Sequence, residues 1–185
     1  LVESVLEVNK IYQPDGLPVI FDLQIEAEIL DCELLWAKDN PPSVKTHPLS
    51  ETKNIPCLCT IPTKEDGRLP IILEAMKEIK AKIGDETALY GLITGPFTLA
   101  SHLRGVNLFM DLIEDPEYAK KLLAYTTEVA KAMAKYFIEA GMDIIAVVDP
   151  LVSQVSPRMF KKSLHESFKS VFDCIRENGA YSSFF

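Results

Sequence analysis

Polar side chains collect where the apolar runs of this sequence end. The stretch GLITGPFTLASHLRG, residues 91–105, runs from an apolar segment through a Gly-Pro turn to Thr98 and His102. Asp22 follows the apolar run LPVIF, and Asp149 closes the run IIAVV. Carboxylates at such positions can accept hydrogen bonds from a ligand, and histidine changes its charge near neutral pH. We therefore predict that Asp22, His102 and Asp149 are catalytic residues.

Each of these residues also has a purely structural interpretation. Asp22 can cap a helix over residues 23–30, and Asp149 can cap the turn that follows it. His102 can be a histidine packed between a helix and a loop, and Thr98 is most simply a turn stabiliser at a helix start. The sequence leaves these alternatives open.

Cys57 and Cys59 form a Cys-x-Cys pair that suggests a metal site, with His47 as a third ligand. Neighbouring side chains of an extended Cys-x-Cys segment diverge, so binding one ion requires a bend. No second Cys/His pair at zinc-finger spacing is present. We therefore assign no metal site in this chain.

The composition limits the classes of protein to which the chain can belong. Its 185 residues, 48% of them hydrophobic, suffice for one sizeable core, and we expect a single domain over residues 1–185. A formal net charge of −8 argues against nucleic acid and anionic membranes as main partners, because both bind basic faces. The sequence shows neither a secretory signal nor an apolar run near the ~20 residues of a membrane span. We expect reduced cysteines and a cytoplasmic protein.

The hydrophobic pattern alternates between strands and helices. Strands are predicted over residues 17–23, 88–94, 143–149 and 180–185. Helices are predicted over residues 24–30, 67–83, 115–141 and 156–179, and the proline-rich segment 40–64 is predicted to be mostly loop. Glu26 and Glu28 lie in the first helix, where an exposed face explains at least one of them, and we assign neither a catalytic role. Such alternation indicates parallel strands joined by right-handed crossovers.

Two architectures fit this order, a doubly wound open sheet and a (β/α)8 barrel. Gly91 and Gly95 lack dinucleotide-binding spacing, and Pro96 removes an N–H group that a phosphate site would use. We therefore predict an α/β fold of the TIM barrel class, with the chain covering about the N-terminal half of a longer protein. The strands of a barrel end at one mouth, so Asp22, His102 and Asp149 are expected to share a cavity.

Four stretches, in order, resemble the uroporphyrinogen decarboxylase superfamily. GLITGPFTLASHLRG resembles its Gly-x-Pro-aromatic-Thr-Leu turn, and VIFDLQIEAEILDCEL resembles its first strand with a ligand-binding aspartate. GMDIIAVVDPLVSQVSPRMF is similar to a later strand-Asp segment followed by Ser-Pro-x-x-Phe, and ENGAYSSFF looks like the next strand. The resemblance implies substrate-binding positions at Phe21, Pro96, Phe97, Thr98 and Ser153.

The superfamily has two main branches. One decarboxylates the acetate arms of uroporphyrinogen in porphyrin biosynthesis without a cofactor, and the other transfers methyl groups from a corrinoid to a thiol such as coenzyme M. His102 stands where the decarboxylases have a substrate-binding tyrosine, and Pro150 stands where they have a serine. The resemblance therefore favours a methylcobamide:thiol methyltransferase. Uroporphyrinogen decarboxylase is the alternative, and a non-catalytic corrinoid or tetrapyrrole binder is a second one.

The two branches imply different cofactors and partners. The methyltransferases use zinc and a corrinoid, and they hold zinc through a His-x-Cys on the strand that begins near Tyr181 and through a distant cysteine. Ser183 stands about where that histidine would fall, so the zinc ligands are expected beyond Phe185. A small thiol or tetrapyrrole is the expected substrate, and a corrinoid-carrying protein is a candidate partner. The methyl donor, the thiol acceptor and the oligomeric state, including a homo-oligomer, are left open.

Overall fold

Four parallel strands form the central sheet of the protein. The structure is a computed structural model that describes residues 1–185. The strands are β1 (Gly16–Pro18), β4 (Ala88–Thr94), β5 (Ile144–Val148) and β6 (Tyr181–Phe184), in the sheet order β1-β4-β5-β6. Two further strands, β2 (Leu34–Leu35) and β3 (Ser43–Val44), form a separate antiparallel pair.

Helices connect the strands. They are α1 (Val2–Tyr12), α2 (Ile25–Ile29), α3 (Leu69–Ile83), α4 (Pro96–Arg104), α5 (Asn107–Glu114), α6 (Pro116–Glu139), α7 (Pro157–Met159) and α8 (His165–Glu177). A π-helical turn, Phe160–Leu164, joins α7 to α8, and 3-10 turns cover Leu58–Thr60 and Pro150–Gln154. None of the helices combines the length and the apolar character needed to cross a membrane.

The strand order identifies the sheet as part of a barrel. Successive strands along the chain are neighbours in the sheet, and all three pairs are parallel. With right-handed crossovers this order places every connecting helix on the same face. A doubly wound sheet reverses its order at a switch point and carries helices on both faces. The prediction of a (β/α) barrel, of which this chain supplies four strands, is therefore confirmed.

The two faces of the sheet bury different residues. Toward the helices, alternate residues of β4 and β5 are fully buried in the main core: Leu89, Ile93, Ile145 and Val147. On the opposite face a small separate cluster consists of Leu92, Ala146 and Val148, with Leu23 and Tyr90 packed against it. In a closed barrel this second face is the interior, which is filled by side chains.

Some element boundaries differ from the predictions. The first strand was predicted to reach residue 23, but it ends at Pro18. The amide of Val19 still donates to Tyr90 O at 3.0 Å, after which the chain leaves the ladder. The predicted helix over residues 156–179 is interrupted by the π-helical turn, where the Phe160 ring packs against His165 and Phe168. The prediction of a single domain over residues 1–185 stays a prediction.

Candidate functional site

The carboxyl ends of β1, β4 and β5 meet at one edge of the sheet. Thr94, the last residue of β4, is in register with Val148, and Asp149 follows directly. The α2 helix lies beyond β1 and brings Glu26 onto Thr94. We call this edge, with Asp22, Glu26, Arg68, Thr94 and Asp149, the mouth.

Glu26 is buried at the mouth without a cationic partner. Its side chain is 1% exposed, its Oε1 accepts from Thr94 N–H at 2.9 Å, and its Oε2 lies 2.8 Å from Thr94 Oγ1. Thr94 Oγ1 also lies 2.9 Å from Leu23 O, but a hydroxyl has one proton and cannot donate to both oxygens. A proton on Glu26 Oε2 resolves this, because Glu26 then donates to Thr94 and Thr94 donates to Leu23. Burial raises the pKa of Glu26, which favours the same neutral acid.

Asp22 is held in an ionic network at the mouth. Its Oδ2 accepts from Arg68 Nη1 at 2.7 Å, and its Oδ1 accepts from the N–H of Gln24 at 2.9 Å. Arg68 Nε also donates to Glu28 at 2.6 Å, and the guanidinium lies 5.1 Å from the centre of the Trp36 ring. Arg68 Nη2 is buried and has no protein partner. Asp22 therefore bonds within the turn before α2 and does not cap the helix as the structural interpretation predicted, because Gln24 is the N-cap residue and α2 has no side-chain cap hydrogen bond. Asp22 also orients an arginine that retains a free donor.

Asp149 organises the turn that follows β4. It is 2% exposed, and its Oδ2 accepts from Phe97 N–H at 2.9 Å. Its Oδ1 accepts from the Thr98 hydroxyl at 2.6 Å and from Thr98 N–H at 3.1 Å. Burial raises the pKa of Asp149 to about 6, and the hydrogen bonds from Thr98 and Phe97 oppose that rise. The carboxylate is therefore ionised at neutral pH, and it caps α4 from the neighbouring strand. Thr98 stabilises the helix start, as predicted, through this partner.

His102 lies in the last turn of α4 and is neutral at pH 7. Burial lowers the pKa of His102 to about 4, and the nearby His47 contributes to the lowering. Its carbonyl contacts His47 Nδ1 at 2.7 Å and Cys32 Sγ at 3.4 Å. The ring atom Nδ1 is buried without a partner. His102 shares no hydrogen bond with Asp22 or Asp149, so its placement in one cavity with them stays a prediction.

The predicted substrate-binding residues occupy different environments. Phe21, 69% exposed, presents its ring to solvent, and Ser153 is exposed with its hydroxyl donating to Pro150 O at 2.7 Å. Pro96 is buried, and Phe97 is 0% exposed with its ring edge-to-face against Phe109 at 5.6 Å. The structure therefore gives Phe97 a packing role, because a ring inside the core offers no surface to a ligand.

Residues 1–185 do not form a zinc site by themselves, and the ligands that the resemblance implies are expected beyond Phe185. No group of three or more His, Cys, Asp or Glu side chains could hold a metal ion. Burial raises the pKa of Cys32 to about 12, which disfavours the thiolate a metal needs. Ser183 lies beside Ala146 in the ladder between β5 and β6 and offers a hydroxyl in place of an imidazole.

Two cavities lie away from the mouth. They have volumes of about 530 and 410 Å³, and both are lined by residues of α6 and α8, with Ser170 common to the two. Asp22, His102 and Asp149 line neither of them. We therefore base the candidate site on the hydrogen-bonded mouth and on the two unpaired nitrogen atoms, Arg68 Nη2 and His102 Nδ1.

Two residues of the mouth, Glu26 and Arg68, were not predicted from the sequence. An exposed helix face was expected to explain at least one of Glu26 and Glu28, and neither was given a role, although Ile25 and Ala27 on either side of Glu26 are apolar and buried. An acid between two buried residues of a short helix was a usable signal. Arg68 had no local signal, because its partner Asp22 lies 46 positions away in the sequence.

The whole chain matches a known family. Residues 1–185 match the model described as uroporphyrinogen decarboxylase (URO-D). Methylcobamide:CoM methyltransferase MtbA of Methanosarcina acetivorans is 32% identical over 166 residues, which cover 88% of this chain and 49% of that protein. The corresponding MtaA of Methanosarcina barkeri strain Fusaro is 33% identical over 161 residues, covering 83% and 47%.

Relatives with lower sequence identity are named uroporphyrinogen decarboxylases. The uroporphyrinogen decarboxylase of Carboxydothermus hydrogenoformans is 26% identical over 185 residues, covering 96% of this chain and 52% of that protein. Among solved structures, a methyltransferase from Methanosarcina mazei superposes with a TM-score of 0.86 at 25% identity, covering 99% of this chain and 54% of that one. The chain thus spans about half the length of the relatives it matches.

Proposed function

Since this chain belongs to the uroporphyrinogen decarboxylase family, we propose that the full-length protein transfers a methyl group from a methylcobamide to a thiol. The observation that carries the proposal is the identity to named relatives. It is 32% and 33% for the methylcobamide:CoM methyltransferases, against 26% for the uroporphyrinogen decarboxylases. The likeness to a solved methyltransferase, with a TM-score of 0.86, supports the same activity.

The candidate site offers groups that suit the two substrates of such a reaction. Phe21 and Trp36 are 69% and 58% exposed, so their rings can cover part of a large, partly apolar corrin ring. Arg68 Nη2 and His102 Nδ1 can pair with polar groups of the substrates, because both atoms are buried and unpaired. We propose that Asp22 orients Arg68 for this task, with Asp149 and Thr98 fixing the start of α4, the helix that carries His102.

We include zinc in the proposal, with ligands outside residues 1–185. When bound, zinc lowers the pKa of a coordinated thiol so that a thiolate is present at neutral pH. The residues described here bind and orient substrates and exclude water from the mouth. A corrinoid-carrying protein as partner and a cytoplasmic location belong to the same proposal, and the thiol acceptor is the coenzyme M named for the relatives or a similar small thiol.

Uroporphyrinogen decarboxylation is the second candidate. Its supporting observation is coverage, since the decarboxylase relative aligns with 96% of this chain and the methyltransferases with 83% to 88%. In that reaction Asp22 would accept hydrogen bonds from pyrrole N–H groups and stabilise positive charge as a ring is protonated. The ion pair between Asp22 and Arg68 opposes this role, because it already neutralises the carboxylate.

One assay distinguishes these activities. The full-length protein is purified without metal, titrated with zinc, and supplied with methylcobalamin and coenzyme M. We expect methylated thiol by mass spectrometry and a matching loss of methylcobalamin absorbance. Carbon dioxide release from uroporphyrinogen, without methyl transfer to any thiol, would reverse the order of the two candidates. Binding of corrinoid without either reaction would favour a non-catalytic binder.

A further inference from the structure

The Cys-x-Cys segment is bent, so that the Cys57 sulfur folds back onto the backbone of Cys59. Cys57 precedes the 3-10 turn Leu58–Thr60, and its Sγ accepts from the N–H of Cys59 at 3.2 Å. Thr60 Oγ1 donates to Cys57 O at 2.7 Å, and the Tyr125 hydroxyl of α6 donates to Thr60 O at 3.4 Å. The turn is therefore anchored to the body of the protein, and it supplies the bend that an extended Cys-x-Cys lacks.

The same two thiols are the accessible ones in this chain. All four cysteines are free, but Cys32 and Cys174 are buried, whereas Cys57 and Cys59 are exposed. Hydrogen bonds from the side chain and the backbone N–H of Cys59 lower the pKa of Cys57. Burial raises the pKa of both Cys32 and Cys174. Nucleophilic thiols are exposed ones with a lowered pKa, often beside a second cysteine that completes the exchange.

We propose that Cys57 and Cys59 form a thiol–disulfide exchange site for low-molecular-weight disulfides. The Cys57 thiolate attacks one sulfur of R–S–S–R, forms a mixed disulfide, and releases the other half as R–S⁻. Cys59 then loses its proton to water, and its sulfur attacks the Cys57 sulfur, so the second R–S⁻ leaves and the Cys57–Cys59 bond forms. Two electrons pass from the cysteine pair to the small disulfide, which becomes two thiols.

The geometry favours this use of the pair over a metal site. A disulfide needs two Cα atoms within about 7 Å, which residues two apart satisfy in nearly every conformation, and the bond from Cys59 N–H shows that the Cys57 side chain folds back toward Cys59. A tetrahedral zinc site needs four ligands, and no third His, Cys, Asp or Glu completes one here. A disulfide across one intervening residue on the surface is also readily reduced, so the exchange is reversible.

The test maps the oxidation state of one peptide. The reduced full-length protein is treated with hydroxyethyl disulfide, quenched with acid and digested with trypsin, which releases residues 54–64 with both cysteines and no others. We expect this peptide to become two hydrogens lighter, and dithiothreitol to restore its mass. We expect the peptides that carry Cys32 and Cys174 to remain reduced. Accumulation of two mixed disulfides without an internal bond would overturn the proposal.

Matched single variants separate the roles of the two cysteines. Cys59→Ser should stop at a mixed disulfide on Cys57, and Cys57→Ser should react at least about threefold more slowly through Cys59. Each serine keeps a side chain that can hydrogen-bond in the turn, so both variants are expected to fold. Equal rates for the two variants in the native protein would contradict the assignment. A rate difference that persists in guanidinium chloride would also contradict it, because the folded turn would then not be its cause.

Discussion

At the scale of single residues, the hydrogen bonds of the mouth depend on whether Glu26 is protonated. Glu26 and Thr94 form a chain of hydrogen bonds that ends on Leu23 O, and this chain is complete only when Glu26 is protonated. A neutral carboxylic acid can be buried without a cation, whereas a buried carboxylate needs compensation. The protonated state therefore explains how α2 can cover the end of β4 with an acidic side chain.

This protonation state predicts how Glu26 responds to substitution. In Glu26→Gln the amide oxygen accepts from Thr94 N–H and the amide N–H group donates to Thr94 Oγ1, so at pH 4.5 the free energy of unfolding should change by less than about 1 kcal/mol. Glu26→Leu leaves Thr94 N–H without a partner and should cost about 1–3 kcal/mol. Urea unfolding of both variants and the wild type at pH 4.5 measures the difference.

The pH dependence of stability gives an independent check on Glu26. Its pKa is raised in the folded state, so the folded protein binds more protons than the unfolded chain above pH 4.5. Stability must then fall as the pH rises through the raised pKa, and Glu26→Gln should lack this component of the fall. A wild-type minus Glu26→Gln difference that is flat with pH would show that Glu26 is ionised in the folded protein.

His102 predicts a pH dependence of the opposite sign. Its pKa falls from 6.5 to about 4 on folding, so the unfolded chain binds the extra proton between these values. Stability should therefore decrease by up to about 3 kcal/mol as the pH is lowered from 6.5 to 4. His102→Gln, with a similar side-chain size and no titration, is the reference variant in urea unfolding at each pH. If His102 also contacts substrate, this variant loses methyl transfer at pH 7 while remaining folded, whereas a structural histidine leaves the rate unchanged.

At the scale of elements, a carboxylate from β5 fixes the helix that follows β4. The amides of Phe97 and Thr98 lie in the first turn of α4 and have no partner within that helix, and Asp149 satisfies both. The close approach requires Gly95, because a Cβ atom there would collide with the Asp149 side chain. The strand, the turn and the helix are thus joined through one buried side chain.

A double-mutant cycle tests this joint. Gly95→Ala should destabilise the protein by roughly 1–3 kcal/mol, because the methyl group displaces the Asp149 carboxylate from the α4 amides. An Asp149→Gly background removes the carboxylate and also the Asp149 Cβ, which would lie 2.4 Å from a Cβ atom at residue 95. In that background the cost of Gly95→Ala should nearly disappear. Denaturant unfolding of the two single variants and the double variant gives the coupling. Additive costs would mean that Gly95 is needed for some reason other than its contact with Asp149.

The elements also show what the sequence could predict. Both ends of β4, residues 88 and 94, were predicted correctly. Its apolar run begins and ends with changes in sequence pattern that are visible within a few residues. β1 was predicted to be longer than it is. Val19 and Leu23 are apolar because they pack into hydrophobic clusters after the strand has ended, and this apolar character predicts a longer strand. Periodicity located Asp22 and Asp149 at strand ends, but not their partners. The bond from Thr94 to Glu26 spans 68 positions and the bond from Thr98 to Asp149 spans 51, distances at which a periodic pattern carries no information.

At the scale of the whole molecule, the sheet has two edges where a barrel has none. β1 pairs only with β4, and β6 pairs only with β5. Tyr181 and Phe184 on β6 are 77% and 48% exposed, large apolar surfaces for an edge strand. Unpaired strand edges with apolar side chains invite pairing with another strand. Relatives about twice as long as this chain contain enough further residues to supply one.

Hydrogen exchange along β6 tests whether the sheet continues. The amide of Tyr181 donates to Asp143 O on the β5 side, and the amides of Ser182 and Phe184 alternate with it and point away from β5. In the isolated 185-residue chain, Tyr181 should be protected while Ser182 and Phe184 exchange quickly. In the full-length protein all three should be protected, the latter two by at least about a hundredfold, because a next parallel strand accepts their hydrogen bonds. Tyr181 is the internal control for folding in both samples. Fast exchange of Ser182 and Phe184 in the full-length protein would mean that no strand pairs with this edge, and the barrel would then not close beside β6.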